Sequence, residues 1–251
     1  MWSTPSGAVD IRGSLQGVDT LAPSPRPDPP RYRGSYWDTP NGALTPITPR
    51  ASVERDIGVV VTGPGIAEAT QAMTVPVEGN RCRPGTVVVS PGTTLTLDNQ
   101  DLVSHTLYAI ARGQEANRVV QPETTSARTR RQITFAAPGT YELRDERSPA
   151  FRCWVVVGQG QGRVLGVNRE GAFMASNLNE GAYVVRAYFE GTERGSVNAT
   201  VANEAVTVQL PVSGAPTPAA ANNAAPAGNT PPAPSAANND SDGSHRGRHH
   251  R

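Results

Sequence analysis

The chain has 251 residues, 37% of them apolar, with 25 glycines, 23 prolines and a formal net charge of +1. That length allows one large or two small domains, and the glycine and proline content favours short strands and turns over long helices. All 23 basic residues are arginine, but 22 acidic residues balance them, which argues against a general nucleic-acid binder.

The opening "MWSTPSGAVDIRG" has neither a basic start nor an apolar core, so no signal peptide is read there. Either a cytoplasmic protein or a sequence lacking its leader fits. No stretch approaches the roughly eighteen apolar residues of a membrane span. Residues 1–51 read as an N-terminal strand followed by a proline-rich strap. The strap, 21–50, carries Tyr32, Tyr36 and Trp37, and its proline spacing excludes a helix. A β-sandwich is expected over 52–157, with "IGVVVTG" (57–63) as its first central strand. "TVPVEG" (74–79), "GTVVV" (85–89), "TTLTLDN" (93–99), "HTLYAI" (105–110), "RRQITFA" (130–136), "TYELR" (140–144) and "CWVVV" (153–157) follow, each bounded by turn residues. "SPG" (90–92) and "APG" (137–139) offer a glycine for sharp reversals.

After "GQGQG" (158–162) the strand pattern restarts, and 158–212 reads as a second, smaller β unit. Its clearest segment alternates Ala182, Val184, Arg186 and Tyr188 with Tyr183, Val185 and Ala187. A unit of that size is marginal alone and is expected to lean on the first. From Ser213 to Arg251 the composition collapses into Ala, Pro, Asn, Gly, Ser and Thr, and disorder is expected. The terminal His245, His249 and His250 with their arginines read as a soluble cationic tail; loose metal binding or contact with an anionic surface is the other reading.

"GTTLTLDNQDLVSHT" (92–106), "PGTY" (138–141) and the closing "WVVV" resemble the cupredoxin superfamily. More narrowly, the chain resembles bacterial exported proteins in which a plastocyanin-like domain precedes a carboxypeptidase-regulatory-like, or prealbumin-like, domain. "REGAFMASNLNEGAYVVRA" (169–187) carries the resemblance to the second domain. The implied fold is all-β: a cupredoxin-like Greek-key sandwich, a small prealbumin-like sandwich and a disordered tail. In that family an Asn-x-Asp-x-x-x-His segment supplies the first copper ligand, and a Cys-x-x-His-x-x-Met loop supplies the rest. A thiolate, two imidazoles and a thioether suit copper in both oxidation states. Here the first segment falls on Asn99, Asp101 and His105. The loop positions fall on Asp145, Ser148 and Phe151, so three of the four implied ligands are missing. No resident metal or cofactor is therefore expected, although Glu146 near this pole leaves weak divalent binding as an alternative. A nucleophilic triad of Ser148, His105 and Asp145 lacks a nucleophile elbow and an identifiable oxyanion pocket, so no enzymatic activity is expected. A satisfied loop histidine is the plain reading of His105.

Cys82 and Cys153 are too far apart for a CxxC site. Related domains also carry a cysteine before the strand that leads to the Asn-x-Asp loop. A bridge between Cys82 and Cys153 would tie an early strand to the last one; two buried thiols are the alternative. The resemblance implies a noncatalytic periplasmic or secreted module with a degenerate copper site, acting structurally or by interaction at the cell envelope. Its partner would be a protein or glycan, with neither nucleic acid nor a transmembrane segment involved.

Overall fold

The computed structural model describes residues 9–23, 50–66, 72–159 and 161–214, so the aromatic strap residues and the tail histidines lie outside the described residues. Among the described residues fifteen strands build three sheets. The largest has eight strands: β3 (Met73–Val77), β4 (Arg81–Val89), β5 (Thr94–Asn99), β6 (His105–Ala111), β7 (Arg118–Thr125), β8 (Arg130–Thr134), β9 (Gly139–Asp145) and β10 (Arg152–Val157). Their order, β7-β6-β9-β10-β4-β3-β5-β8, makes a nearly closed barrel.

Strand β4 joins the two sides by changing partner along its length. Cys82 near its start pairs with Val77 of β3, while Thr86 to Val89 run parallel to Trp154 to Val157 of β10. The ladder between β4 and β10 is interrupted after Arg152, and the disulfide between Cys82 and Cys153 sits at that break, with Cα atoms 5.3 Å apart. Period-two alternation drives Val75, Leu95, Leu97, Leu107, Leu143 and Val155 into one core. The free edges, β7 and β8, are tied by a buried arginine. The Arg131 guanidinium donates to the carbonyls of Leu107, Gln121 and Glu123.

The remaining strands come from both ends of the described chain. A three-stranded sheet places β1 (Val9–Gln16) between β12 (Ala172–Leu178) and β15 (Val206–Pro211). A four-stranded sheet runs β11-β2-β13-β14, from β2 (Ile57–Thr62), β11 (Arg163–Leu165), β13 (Gly181–Phe189) and β14 (Thr192–Val201). Ile11, Val59, Val61, Phe173, Tyr183, Val185 and Leu210 share the core between these two sheets. A single helical turn, α1 (Val53–Asp56), leads into β2. Among the described residues no helix is long and apolar enough to cross a membrane.

One expectation is corrected here. The 57–63 strand does not open the eight-stranded sheet; β2 pairs antiparallel with β11 and β13. Its sequence is apolar on both faces because both are covered. Val59 and Val61 face the core of the two smaller sheets, and Val60 packs on Val88 and Val156 of the eight-stranded one. Gly58 permits the approach, since a Cβ there would lie 2.6 Å from the Thr86 carbonyl oxygen. The chain thus leaves the four-stranded sheet after β2, builds all eight strands, and returns beside β2 as β11.

A second contact locks the seam. Gly191, at the β13–β14 turn, accepts a hydrogen bond at its carbonyl from Thr140 Oγ1 at 3.2 Å. Arg112 reaches Thr192 Oγ1 from β6's end while its guanidinium covers the Trp154 ring, 5.2 Å from the centroid.

Candidate functional site

The pole that the sequence singles out is built from three loop ends. Asn99 closes β5, His105 opens β6, and Asp145 ends β9 just before the 146–151 loop. The fold brings His105, Asp145 and Phe151 into direct contact. His105 is 1% exposed, and its Nδ1 lies 2.8 Å from Asp145 Oδ2. Its Nε2 lies 3.0 Å from Asp101 Oδ2, and the Phe151 ring packs against it at 5.6 Å between centroids.

A carboxylate at each ring nitrogen determines the chemistry. A carboxylate oxygen is an acceptor, so both ring nitrogens are directed at protein groups. Neither nitrogen then presents a lone pair to an ion, which a metal-ligating imidazole must do. Asp145 is similarly used up, because its Oδ1 accepts the backbone N–H groups of Thr106 (2.9 Å) and Arg147 (3.0 Å). Asp101 accepts the N–H groups of Gly79 (2.7 Å) and Asn80 (3.3 Å) in the β3–β4 turn. One hydrogen-bonded chain therefore runs from that turn through Asp101, His105 and Asp145 to the loop after β9.

Asn99 acts as a brace. Its amide nitrogen donates to the carbonyls of Val103, Thr125 and Ser126, and its Oδ1 accepts the Asp101 N–H. Ser148 supplies its carbonyl to the Phe151 N–H at 2.9 Å, and no hydrogen bond joins it to His105. With both imidazole nitrogens on carboxylates, the His105 ring has no free nitrogen to offer Ser148. Phe151 is fully buried in the barrel core. Glu146 turns away to Arg118, 2.9 Å distant. Among the described residues, no group of three or more His, Cys, Asp or Glu side chains is gathered so as to hold a metal ion.

No family model matches the chain, and no curated protein matches it. Solved structures do. A reduced-state amicyanin mutant is 21% identical with a TM-score of 0.31, covering 39% of this chain and 98% of that one. A mutant of amicyanin with Cu(I) is 22% identical with a TM-score of 0.31, over the same shares. A purple cupredoxin from Nitrosopumilus maritimus is 21% identical with a TM-score of 0.30, covering 34% of this chain and 99% of that one. At such identity and overlap the likeness transfers no ligand, metal or partner to this chain.

Two groups beside the pole escaped the sequence reading. Glu142, buried on β9, pairs with Arg144 (2.8 Å) and Arg152 (2.9 Å), and Arg144 reaches on to Glu115. These carboxylates hold the Arg144 guanidinium well above its ordinary pKa, Glu142 contributing most. Arg131 is the other; it shares its alternation with Ile133 and Phe135, which marks an inward position.

The Asp101 carboxyl has a directional pH signature. Burial pushes its pKa up, but the N–H groups of Gly79 and Asn80 and the His105 ring outweigh burial and hold it below the usual range. A lowered folded pKa stabilises the fold above the unfolded value, about 3.9, and that stabilisation is lost as pH falls through the folded value. Asp101→Asn is therefore expected to be less stable than the parent at pH 7, with the gap closing below about pH 4. Urea unfolding at pH 7, 5 and 3 checks this; a gap that stays constant across that range would contradict it.

Proposed function

We propose that this chain is a noncatalytic, exported β-sandwich protein, a structural or interaction module at the cell envelope with a cupredoxin-like pole that carries no copper. The observation that carries this reading is the state of His105, whose two ring nitrogens are both engaged by carboxylates inside a closed pole. In this reading a carboxylate, a hydroxyl and a phenyl ring stand where the cupredoxin pattern has its soft ligands, so neither copper nor electron transfer is the task. The three-stranded and four-stranded sheets would form the prealbumin-like companion. The disulfide supports life in an oxidising compartment, periplasmic or extracellular, because such bonds persist there. The partner would be a protein or glycan of the envelope.

Copper titration tests the reading. The full chain with His245, His249 and His250 replaced by alanine should show no intense visible charge-transfer band with Cu(II). Adding His105→Ala should change copper affinity little. Tight stoichiometric copper that disappears with His105→Ala would overturn the proposal. Removing the tail histidines first prevents them from supplying a false signal.

A further inference from the structure

Between the eight-stranded and four-stranded sheets lies a cleft of about 590 Å³. Its walls are mainly apolar, including Ile57, Met73, Val88, Val89, Val164 and Leu165. Thr93 also lines it and is 4% exposed.

A second cleft of about 580 Å³ adjoins the first, sharing Glu54 and Pro84 as common wall. Its other lining residues are Ser52, Arg55, Arg83 and Arg169. Three guanidinium groups meet two carboxylates here, Glu54 in the lining and Glu78 on Arg83, so the excess positive charge of this mouth rests on Arg55. Arg169 pairs with Glu54 at 3.2 Å and Arg83 with Glu78 at 3.0 Å, both between half-exposed or fully exposed side chains. Exposed pairs of this kind hold each other weakly and exchange readily for a better acceptor. Arg55 donates through Nε to Ser52 Oγ at 3.2 Å, and among the described residues no carboxylate pairs with it. Its two outer nitrogens form a fork suited to a carboxylate, phosphate or sulfate.

We propose that the joined clefts bind a small anionic amphiphile. The apolar tail lies against Val88, Val89 and Leu165, and the head sits between Arg55 and Arg83. Each cleft lies within the ~300–1,000 Å³ typical of small-molecule sites, and an apolar wall with few convergent polar groups is their usual make-up. This inference is independent of the proposed function, since neither cleft includes His105 or Asp145.

Isothermal titration calorimetry on the full chain tests it, with decanoate below its micellar concentration as the probe. Decyltrimethylammonium and decanol carry a comparable tail with a cationic or neutral head, while decyl phosphate and decyl sulfate rank the anionic heads. Decanoate should bind one site, roughly tenfold or more tighter than the cation, and Arg55→Gln should weaken it about tenfold. Val164→Asp, which places a carboxylate against the tail, should weaken it further. Arg128→Gln makes the same charge change at the His105 pole and should leave affinity unchanged. Thermal unfolding of each variant separates loss of the site from loss of the fold. Equal affinity for the anionic and cationic heads, equal weakening by Arg55→Gln and Arg128→Gln, or no binding to the parent chain would each overturn the proposal.

Discussion

Asp145→Ala is expected to lower stability by about 3 kcal/mol or more, because it leaves three buried or half-buried groups without a partner at roughly 1–3 kcal/mol each. The side chain is 1% exposed, as is that of His105. Its loss abandons His105 Nδ1 and the N–H groups of Thr106 and Arg147 together. Asp101→Ala should cost less, because that carboxylate is 17% exposed and water can replace it. Urea denaturation of both variants gives the comparison. If the stranded His105 ring is what makes the loss large, His105→Leu in the Asp145→Ala background should recover part of it. Equal losses at Asp101 and Asp145 would mean that the loops carry the pole without these hydrogen bonds.

The disulfide should have the next largest effect. It closes a loop with a sequence separation of 71, for which the chain-entropy estimate is roughly 4 kcal/mol. Its placement gives a further reason to expect a real loss. Cys82 and Cys153 bridge β4 and β10 where their ladder is interrupted, so backbone hydrogen bonds do not substitute for the link. The double variant Cys82→Ala with Cys153→Ala should therefore unfold at markedly lower urea than the parent. The parent treated with a reductant should follow it. A midpoint unchanged in both would show that barrel packing alone fixes these strands.

How much of this was legible depended on what each residue's neighbours do. The alternation of β13 announced itself, and Tyr183, Val185, Ala187 and Phe189 are the buried set. Strand β2 was legible as a strand but not as a member of its sheet. A segment covered on both faces shows no alternation that could name its partners. Strand β7 was not read at all, because Pro122 and a mostly exposed edge leave little apolar signal. At the pole, the family resemblance pointed to Asn99, His105, Asp145, Ser148 and Phe151, and Asp101 stood four residues before His105. What spacing could not show was direction. Asp145 and Asp101 turn toward the two sides of one imidazole, while Ser148 offers only its backbone.

The pairing of β1 with β15 has a mechanical consequence. The two strands are parallel and in register from Ile11 opposite Val206 to Gln16 opposite Pro211. The described chain enters β1 at Val9 and leaves β15 beyond Pro211, at opposite ends of the pair. Tension applied across those ends slides the strands past one another and loads their hydrogen bonds together, whereas peeling a hairpin would break them one at a time. The barrel that carries His105 is attached through β2 and β11, which lie side by side in another sheet. The load path therefore bypasses it, and the pole stays unstrained until β1 and β15 separate.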